Sequence, residues 1–332
     1  MAPTQSQRRA RPHGTGVTRG HIRLGLAVLW LADAALQYQP FMFTHGFAHQ
    51  IIAGAAEGQP GFVSVPVRWA AAVVGAHPVV WNAVFATVQL AIGAGLLWQR
   101  TARLALAGTV GWGLGVWYMG EGLGGVAGGH VDLLTGWPGG AVLYVLLAAV
   151  CWPTPTLGRG RAWLFSGDSS QPPPPWSTIA WAVVWAGGAV FQLLPGQGTA
   201  AATSAAITDN VSGAPAWLAR LDHSVAYGVE RIGFPVVAGL FAGEVLIGVL
   251  PLLGRRWRAP TVSVALVLLA VMWLVGQNLG GIYTGQATDP DTAAPLALLA
   301  VALFARFQPG RPAGAGGRDV VEAVGADRSL AA

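Results

Sequence analysis

Residues Phe234–Gly254 read FPVVAGLFAGEVLIGVLPLLG and are followed at once by Arg255 and Arg256. A helix needs about 20 mainly apolar residues to cross the hydrocarbon core of a bilayer. This stretch supplies them, with Glu244 as its one ionisable group. Runs of the same kind lie outward on both sides, at about 22–39, 78–98, 102–119, 136–152, 177–194, 261–278 and 292–307, and the quoted run fills 233–253. The expected fold class is therefore all-α, a polytopic membrane protein of about eight transmembrane helices. Composition agrees: of the 332 residues 53% are hydrophobic and only 10% charged, against roughly 25% charged in soluble domains. The lipid bilayer is the partner such a chain requires.

Charge placement sets an orientation. All 19 basic residues are Arg. With a cytoplasmic N-terminus, sixteen of them fall on the cytoplasmic side, and only Arg68, Arg220 and Arg231 fall outside. That is the bias the positive-inside rule demands. It predicts a multi-pass protein of the cell (inner) membrane with both termini cytoplasmic. The formal charge of +5 does not imply nucleic acid, because the Arg residues flank apolar segments and form no basic face. Cys151 is the single cysteine, which excludes an internal disulfide, a CxxC redox pair and a thiolate metal cage. The first apolar run ends in Gln37-Tyr38-Gln39-Pro40 and not in a small-residue cleavage site, so it reads as an uncleaved helix.

Five segments follow: an Arg-rich cytoplasmic tail over 1–21, a first four-helix unit over 22–152, a Pro-rich cytoplasmic linker over 153–176, a second four-helix unit over 177–308 and a disordered polar tail over 309–332. The two units carry matching residues. Trp30, Gln37 and Pro40 match Trp185, Gln192 and Pro195 at an offset of 155. Gly58, Pro60 and Phe62 match Gly213, Pro215 and Trp217, and Gln89 with Gly93 matches Glu244 with Gly248, at the same offset. Trp117, Gly120, Glu121, Leu123 and Gly125 match Trp273, Gly276, Gln277, Leu279 and Gly281 at 156. Ordered matches at a near-constant offset point to a tandem duplication. Four helices per unit make it a parallel repeat. The long first loops, about 41–77 and 196–232, each hold a stretch that reads as an interfacial helix, with Trp69, Val73 and Val74 or Trp217, Leu221 and Val225 at helical spacing.

Glu244, Gly248 four residues on, and Gly254-Arg255 at the cytoplasmic end resemble the second-helix motif of the DoxX-like membrane protein family. Gln89, Gly93 and Arg100 repeat the frame with Gln in place of Glu. The resemblance implies a four-helix bundle as the basic unit, here in tandem. It also implies a membrane component of a quinone- or thiol-linked redox system, with a quinone as possible cofactor and redox or membrane proteins as partners. The alternatives are a small-molecule or lipid transporter and a non-catalytic membrane scaffold.

Intramembrane polar residues are costly, about 2.5–3.5 kcal/mol for a central charge on insertion scales, so each needs a partner or a purpose. Asp33, Gln37, Gln89, Glu121, Glu244, Gln277 and Asn278 form the candidate polar cluster. Gln89 with Glu121, and Glu244 with Gln277, give each unit one amide and one carboxyl with roles exchanged, which suggests an amide–carboxyl hydrogen bond in each. For Glu244, Asn278 is the other expected partner, and for Glu121 a solvated or capping role. His45 and His49 have a metal-pair spacing, but Gly46 argues for a loop and no metal is expected. His130, Asp132, Asp289 and Asp291 read as a solvated acidic outer rim.

The orientation is testable in a Cys151→Ala background. Single cysteines at Arg68 and Arg220 react with a membrane-impermeant maleimide in intact cells, whereas cysteines at Arg100 and Arg255 react only after lysis.

Overall fold

The structure, a computed structural model, describes residues 17–129, 133–152 and 173–304. Most of the expected Arg-rich tail, most of the Pro-rich linker and all of the C-terminal tail lie outside the described residues, as do His130 and Asp132. The described chain is helical throughout, with no strand. Helix α1 spans Arg19–Leu36 and starts on a reciprocal cap between Thr18 and His21. Three short helical segments follow: 3₁₀ turns at Pro40–Phe43 and Ala53–Ala56, and a π-helical turn at Phe47–Ile52. Helices α2 (Gly61–Ala76), α3 (Pro78–Leu97), α4 (Gln99–Met119) and α5 (Gly140–Cys151) complete the first half. The second half has α6 (Trp176–Phe191), α7 (Ala200–Asp209), α8 (Ala216–Ile232), α9 (Phe234–Val249), α10 (Arg258–Leu274) and α11 (Ala293–Phe304). Three helical stretches are long and apolar enough to cross a membrane: Pro78–Leu97, Phe234–Leu253 and Arg255–Leu274.

In the first half α1 lies against α3 and α5, and α4 lies against the same two helices. The α2 helix covers the segment 47–56 and touches α4. It buries Val63, Val67, Ala71 and Val74 over a small core with Met42 and Phe47. In the stretches read as interfacial helices, Trp69 and Trp217 point outward while Val74 is buried. The expected loop at His45–Gly46–His49 is helical instead, continuous with the π turn, and the two imidazoles stack with centroids 6.4 Å apart. In the second half α6 packs on α9, α9 on α10 and α10 on α11, while α7 and α8 form a hairpin against α9. Helix α11 also contacts α5 and α1. One apolar core, from Leu26 and Trp30 through Leu143 and Leu147 to Trp185, Leu269 and Leu299, therefore runs through both halves.

Two details recur. Trp117 Nε1 donates to the Pro138 carbonyl at 2.8 Å, and Trp273 Nε1 donates to the Pro290 carbonyl at 2.8 Å. Between donor and acceptor the chain turns through left-handed residues: Leu123, Gly124 and Gly125 in one half, Leu279, Gly280 and Gly281 in the other. Left-handed backbone disfavours residues with a Cβ. Glycine is further required at 124 and 280 because a Cβ there would overlap the Pro138 or Pro290 backbone.

The glycines at i+4 from Gln89 and Glu244 let the second long helix approach the first. A Cβ on Gly93 would lie 2.9 Å from Leu31, and one on Gly248 would lie 3.2 Å from the Ala186 nitrogen and 3.3 Å from the Ala182 oxygen. Small residues at helix crossings are the usual device for close packing in apolar surroundings. Gly243, by contrast, has open space where its Cβ would be. Gly248→Val thus lowers stability by about 1–3 kcal/mol through overpacking, whereas Gly243→Val is near neutral. Thermal unfolding of the two variants in detergent measures the difference.

Candidate functional site

A cavity of about 290 Å³ lies within the first half. Helices α1, α3, α4 and α5 form its walls, the 47–52 turn and α2 close one end, and Thr288 and Asp289 reach in from the second half. Most of the wall is apolar and aromatic. Trp30 and Tyr144 meet edge to face at 4.9 Å, Phe85 meets Trp112 at 5.5 Å, and Phe47 meets Phe85 at 6.4 Å. The polar groups are Asp33, Gln37, Gln89, Glu121 and Asp289. Gly111 and Gly115, four residues apart on α4, line the cavity and are exposed beside the exposed Leu114 and Met119. The cavity thus has a mouth on an apolar helix face.

Hydrogen bonds fix several parts of the cavity wall. Asp33 is buried, and its Oδ1 accepts from the Tyr144 hydroxyl at 3.1 Å. One turn before Asp33, Trp30 donates to Thr109 Oγ1 at 3.1 Å, tying α1 to α4. The Gln37 carbonyl accepts from Asn82 Nδ2 at 2.7 Å, fixing the end of α1 against α3. Four atoms facing this region have no hydrogen-bond partner among the described residues: Gln37 Oε1, Gln89 Oε1, Glu121 Oε2 and Trp112 Nε1. In the natural state of a buried site such groups are paired, so they are available to a bound molecule.

Glu121 does not point to solvent. Its Oε1 accepts from the Ala141 backbone N–H at 3.0 Å, at the first turn of α5. Gln277 does the same for α11, accepting from Ala293 N–H at 3.1 Å. Both thus satisfy orphan N–H groups at a helix start. Gly139, with φ of 102°, must be glycine, since a Cβ would overlap Glu121 Oε2.

The structure brings four of the seven expected residues, Asp33, Gln37, Gln89 and Glu121, to one cavity. Glu244, Gln277 and Asn278 lie elsewhere. Glu244 accepts from Gln192 Nε2 at 2.9 Å. The Gln277 amide donates to Thr292 Oγ1 at 2.9 Å and to the Leu133 carbonyl at 3.1 Å. Asn278 Oδ1 accepts from the Tyr283 hydroxyl at 3.2 Å, and its amide lies beside the buried Asp222. The amide–carboxyl hydrogen bonds expected from the exchanged Gln and Glu positions are therefore replaced by others. Gln192 and Ala141 are the partners instead, because each helix turns these side chains toward its own neighbour.

Asp289 and Asp291 were expected on a solvated rim and are half-buried beside Glu121. A Cβ on Gly140 would lie 3.3 Å from Asp289 Oδ1 and 3.7 Å from Glu121 Oε1, and one on Gly136 would lie 3.1 Å from Asp291 Oδ1. Asp289 Oδ1 accepts from Asp291 N–H at 2.8 Å. The cavity aromatics and Asp289 were missed in the sequence. The chain matches no protein-family model, no curated protein and no solved structure.

Burial, then Asp289, push the Glu121 carboxyl from 4.5 up to about 8, against the opposing hydrogen bond from Ala141. Burial and Asp289 likewise raise Asp291 to about 7. A carboxyl with a raised folded pKa holds its proton more tightly folded than unfolded, so stability falls as pH rises through the interval between the two values. The contribution is complete below the ordinary carboxylate range and is gone above the raised values. The melting temperature in detergent accordingly falls between about pH 5 and pH 8. Glu121→Gln, which keeps the cap as Gln277 does, makes that decline shallower. Glu121→Ala removes the cap and costs about 1 kcal/mol at low pH.

Proposed function

We propose that the protein is a multi-pass membrane protein of two tandem four-helix halves, about eight spans in all, whose first half binds a lipid-soluble molecule. One observation carries the binding reading. The cavity between Asp33 and Glu121 has unsatisfied polar groups at its inner surface and a mouth at Gly111 and Gly115 on an apolar face of α4. A molecule dissolved in the bilayer enters sideways through such a mouth and finds hydrogen-bonding groups inside. The recurring indole–proline hydrogen bonds and the paired left-handed turns support the tandem reading. The Arg distribution supports cytoplasmic termini in the cell membrane.

Two uses of the cavity follow. In the redox reading, drawn from the likeness of the α9 motif to DoxX-like proteins, the occupant is a quinone and the partners are redox proteins of the same membrane. The free Trp112 N–H and the surrounding rings suit a planar head with carbonyl oxygens. In the transport reading the halves move against one another and carry the molecule across. Thr288 and Asp289, which close the cavity from the second half, support this second use.

Mass spectrometry of the protein purified from its native membrane separates the outcomes. A defined small molecule accompanies wild type and the Glu244→Gln variant, and Gly115→Phe, which fills the mouth, reduces it by about tenfold or more. A quinone favours the redox use, and another solute favours transport. Bulk lipid alone in every sample, with one partner protein at fixed ratio, overturns the binding reading in favour of a scaffold.

A further inference from the structure

The chemical class of the occupant can be read from the polar end of the cavity; this step rests on the binding reading above. Asp33, Glu121 and Asp289 line one cavity, and none of the described lining residues is Arg or His. The neighbours that act electrostatically on Asp33 and Glu121 are other carboxyls, with Tyr144 and the Ala141 N–H as hydrogen-bond donors. A site of this polarity wants a positive charge. Two further groups point the same way. Gln37 and Gln89 are 3% and 7% exposed, line the cavity, and each has an Oε1 with no partner among the described residues. With Glu121 Oε2 they make three unfilled acceptors around the acids.

A metal ion is the less suitable cation. No group of three His, Cys, Asp or Glu among the described residues is disposed to hold one. The walls instead suit an organic body: Phe47, Phe85, Trp112 and Ile51 surround the space beyond the acids. Aromatic faces attract ammonium groups, and more strongly where water is excluded.

We propose that the cavity recognises a lipophilic organic ammonium ion, a primary or secondary amine with an apolar or aromatic tail, taken up in exchange for a proton. The ammonium N–H groups donate to the free oxygens of Gln37, Gln89 and Glu121, and the tail lies among the rings. Charge balances simply. Without the ligand Glu121, buried and crowded by Asp289 across Gly140, keeps a proton, because like charges in a water-poor site cannot all ionise. When the cation enters, that proton leaves to solution, and no bond is made or broken other than O–H. Among the described residues the second half has no such arrangement. The position matching Asp33 is Gly188, against which Leu133 and Trp137 pack.

The test uses full-length protein in lipid nanodiscs and three probes of one shape: phenylbutylammonium, neutral phenylbutanol and anionic phenylbutanoate. Calorimetry near neutral pH, in two buffers of different ionisation enthalpy, reads both affinity and proton release. The ammonium binds about tenfold or more tightly than the alcohol and releases a proton that the alcohol does not. In the double variant Asp33→Asn, Glu121→Gln the affinity ratio falls to about one and the proton release disappears. Should the double variant fail to fold, as judged by thermal unfolding, Glu121→Gln alone reduces both signals. Equal binding of ammonium and alcohol in wild type, or a preference that survives the substitutions, overturns cation recognition and leaves the lipid-soluble ligand standing. Preferred binding of the carboxylate overturns it as well. Failure of every probe, with no effect of Gly115→Phe on any of them, overturns the cavity as a binding site altogether.

Discussion

The hydrogen bond from the Trp117 indole to the Pro138 carbonyl, and its counterpart from Trp273 to Pro290, holds the geometry on which the rest of the molecule depends. Each bond ties the end of one long helix to the segment that starts the last helix of its half. The left-handed Leu-Gly-Gly turn makes the reversal between them. With that closure in place, Glu121 or Gln277 lies beside the first N–H groups of α5 or α11 and caps them. The cap turns a carboxyl inward that would otherwise face water. The acid of the cavity is thus a product of how the loop closes, and its cost is offset by a satisfied helix terminus.

Around this shared frame the halves diverge by single residues. Trp30 donates to Thr109, while the position matching Thr109 in the second half is Ala265, and the Trp185 indole N–H has no partner among the described residues. In the residue before each proline, Trp137 faces Asp289. Trp137 packs on Gly188 and donates to the Val184 carbonyl at 2.9 Å. Asp289 enters the cavity near Asp33. The loop of each half therefore reaches into the other, one as a plug and one as a polar wall. The first half is hollow where Trp137 and Leu133 fill the space beside Gly188 in the second.

The helices were legible because apolar runs bounded by Arg, Pro and Gly have few other readings. The matched spacing of Gly93 and Gly248 was visible in the sequence, and the close helix approach it serves is seen only in the structure. The site was legible in its residue types and only partly in its pairing. Asp33, Gln37, Gln89 and Glu121 stood out as polar groups in apolar runs, and they share one cavity. Their partners did not stand out, since Tyr144 reaches Asp33 across 111 residues, and nothing in the spacing of either residue encodes that contact. Glu244 pairs with Gln192, just past the end of α6, and not with Gln277, beyond the end of α10. Which neighbour a helix turns toward is decided by packing. Asp289 was misplaced on a solvated rim because its exchange between halves is a tertiary event. The π turn at Phe47–Ile52 is equally invisible in composition, since its residues are ordinary helix formers.

The wall formed by Thr288 and Asp289 has a bearing on how the protein is made. Thr288 and Asp289 are synthesised after Asp33 and Glu121, whose cavity they help to wall. Until then the wall beside Asp33 and Glu121 lacks the side that Thr288 and Asp289 supply. The chamber of the first half is therefore complete only once the second half has folded against it.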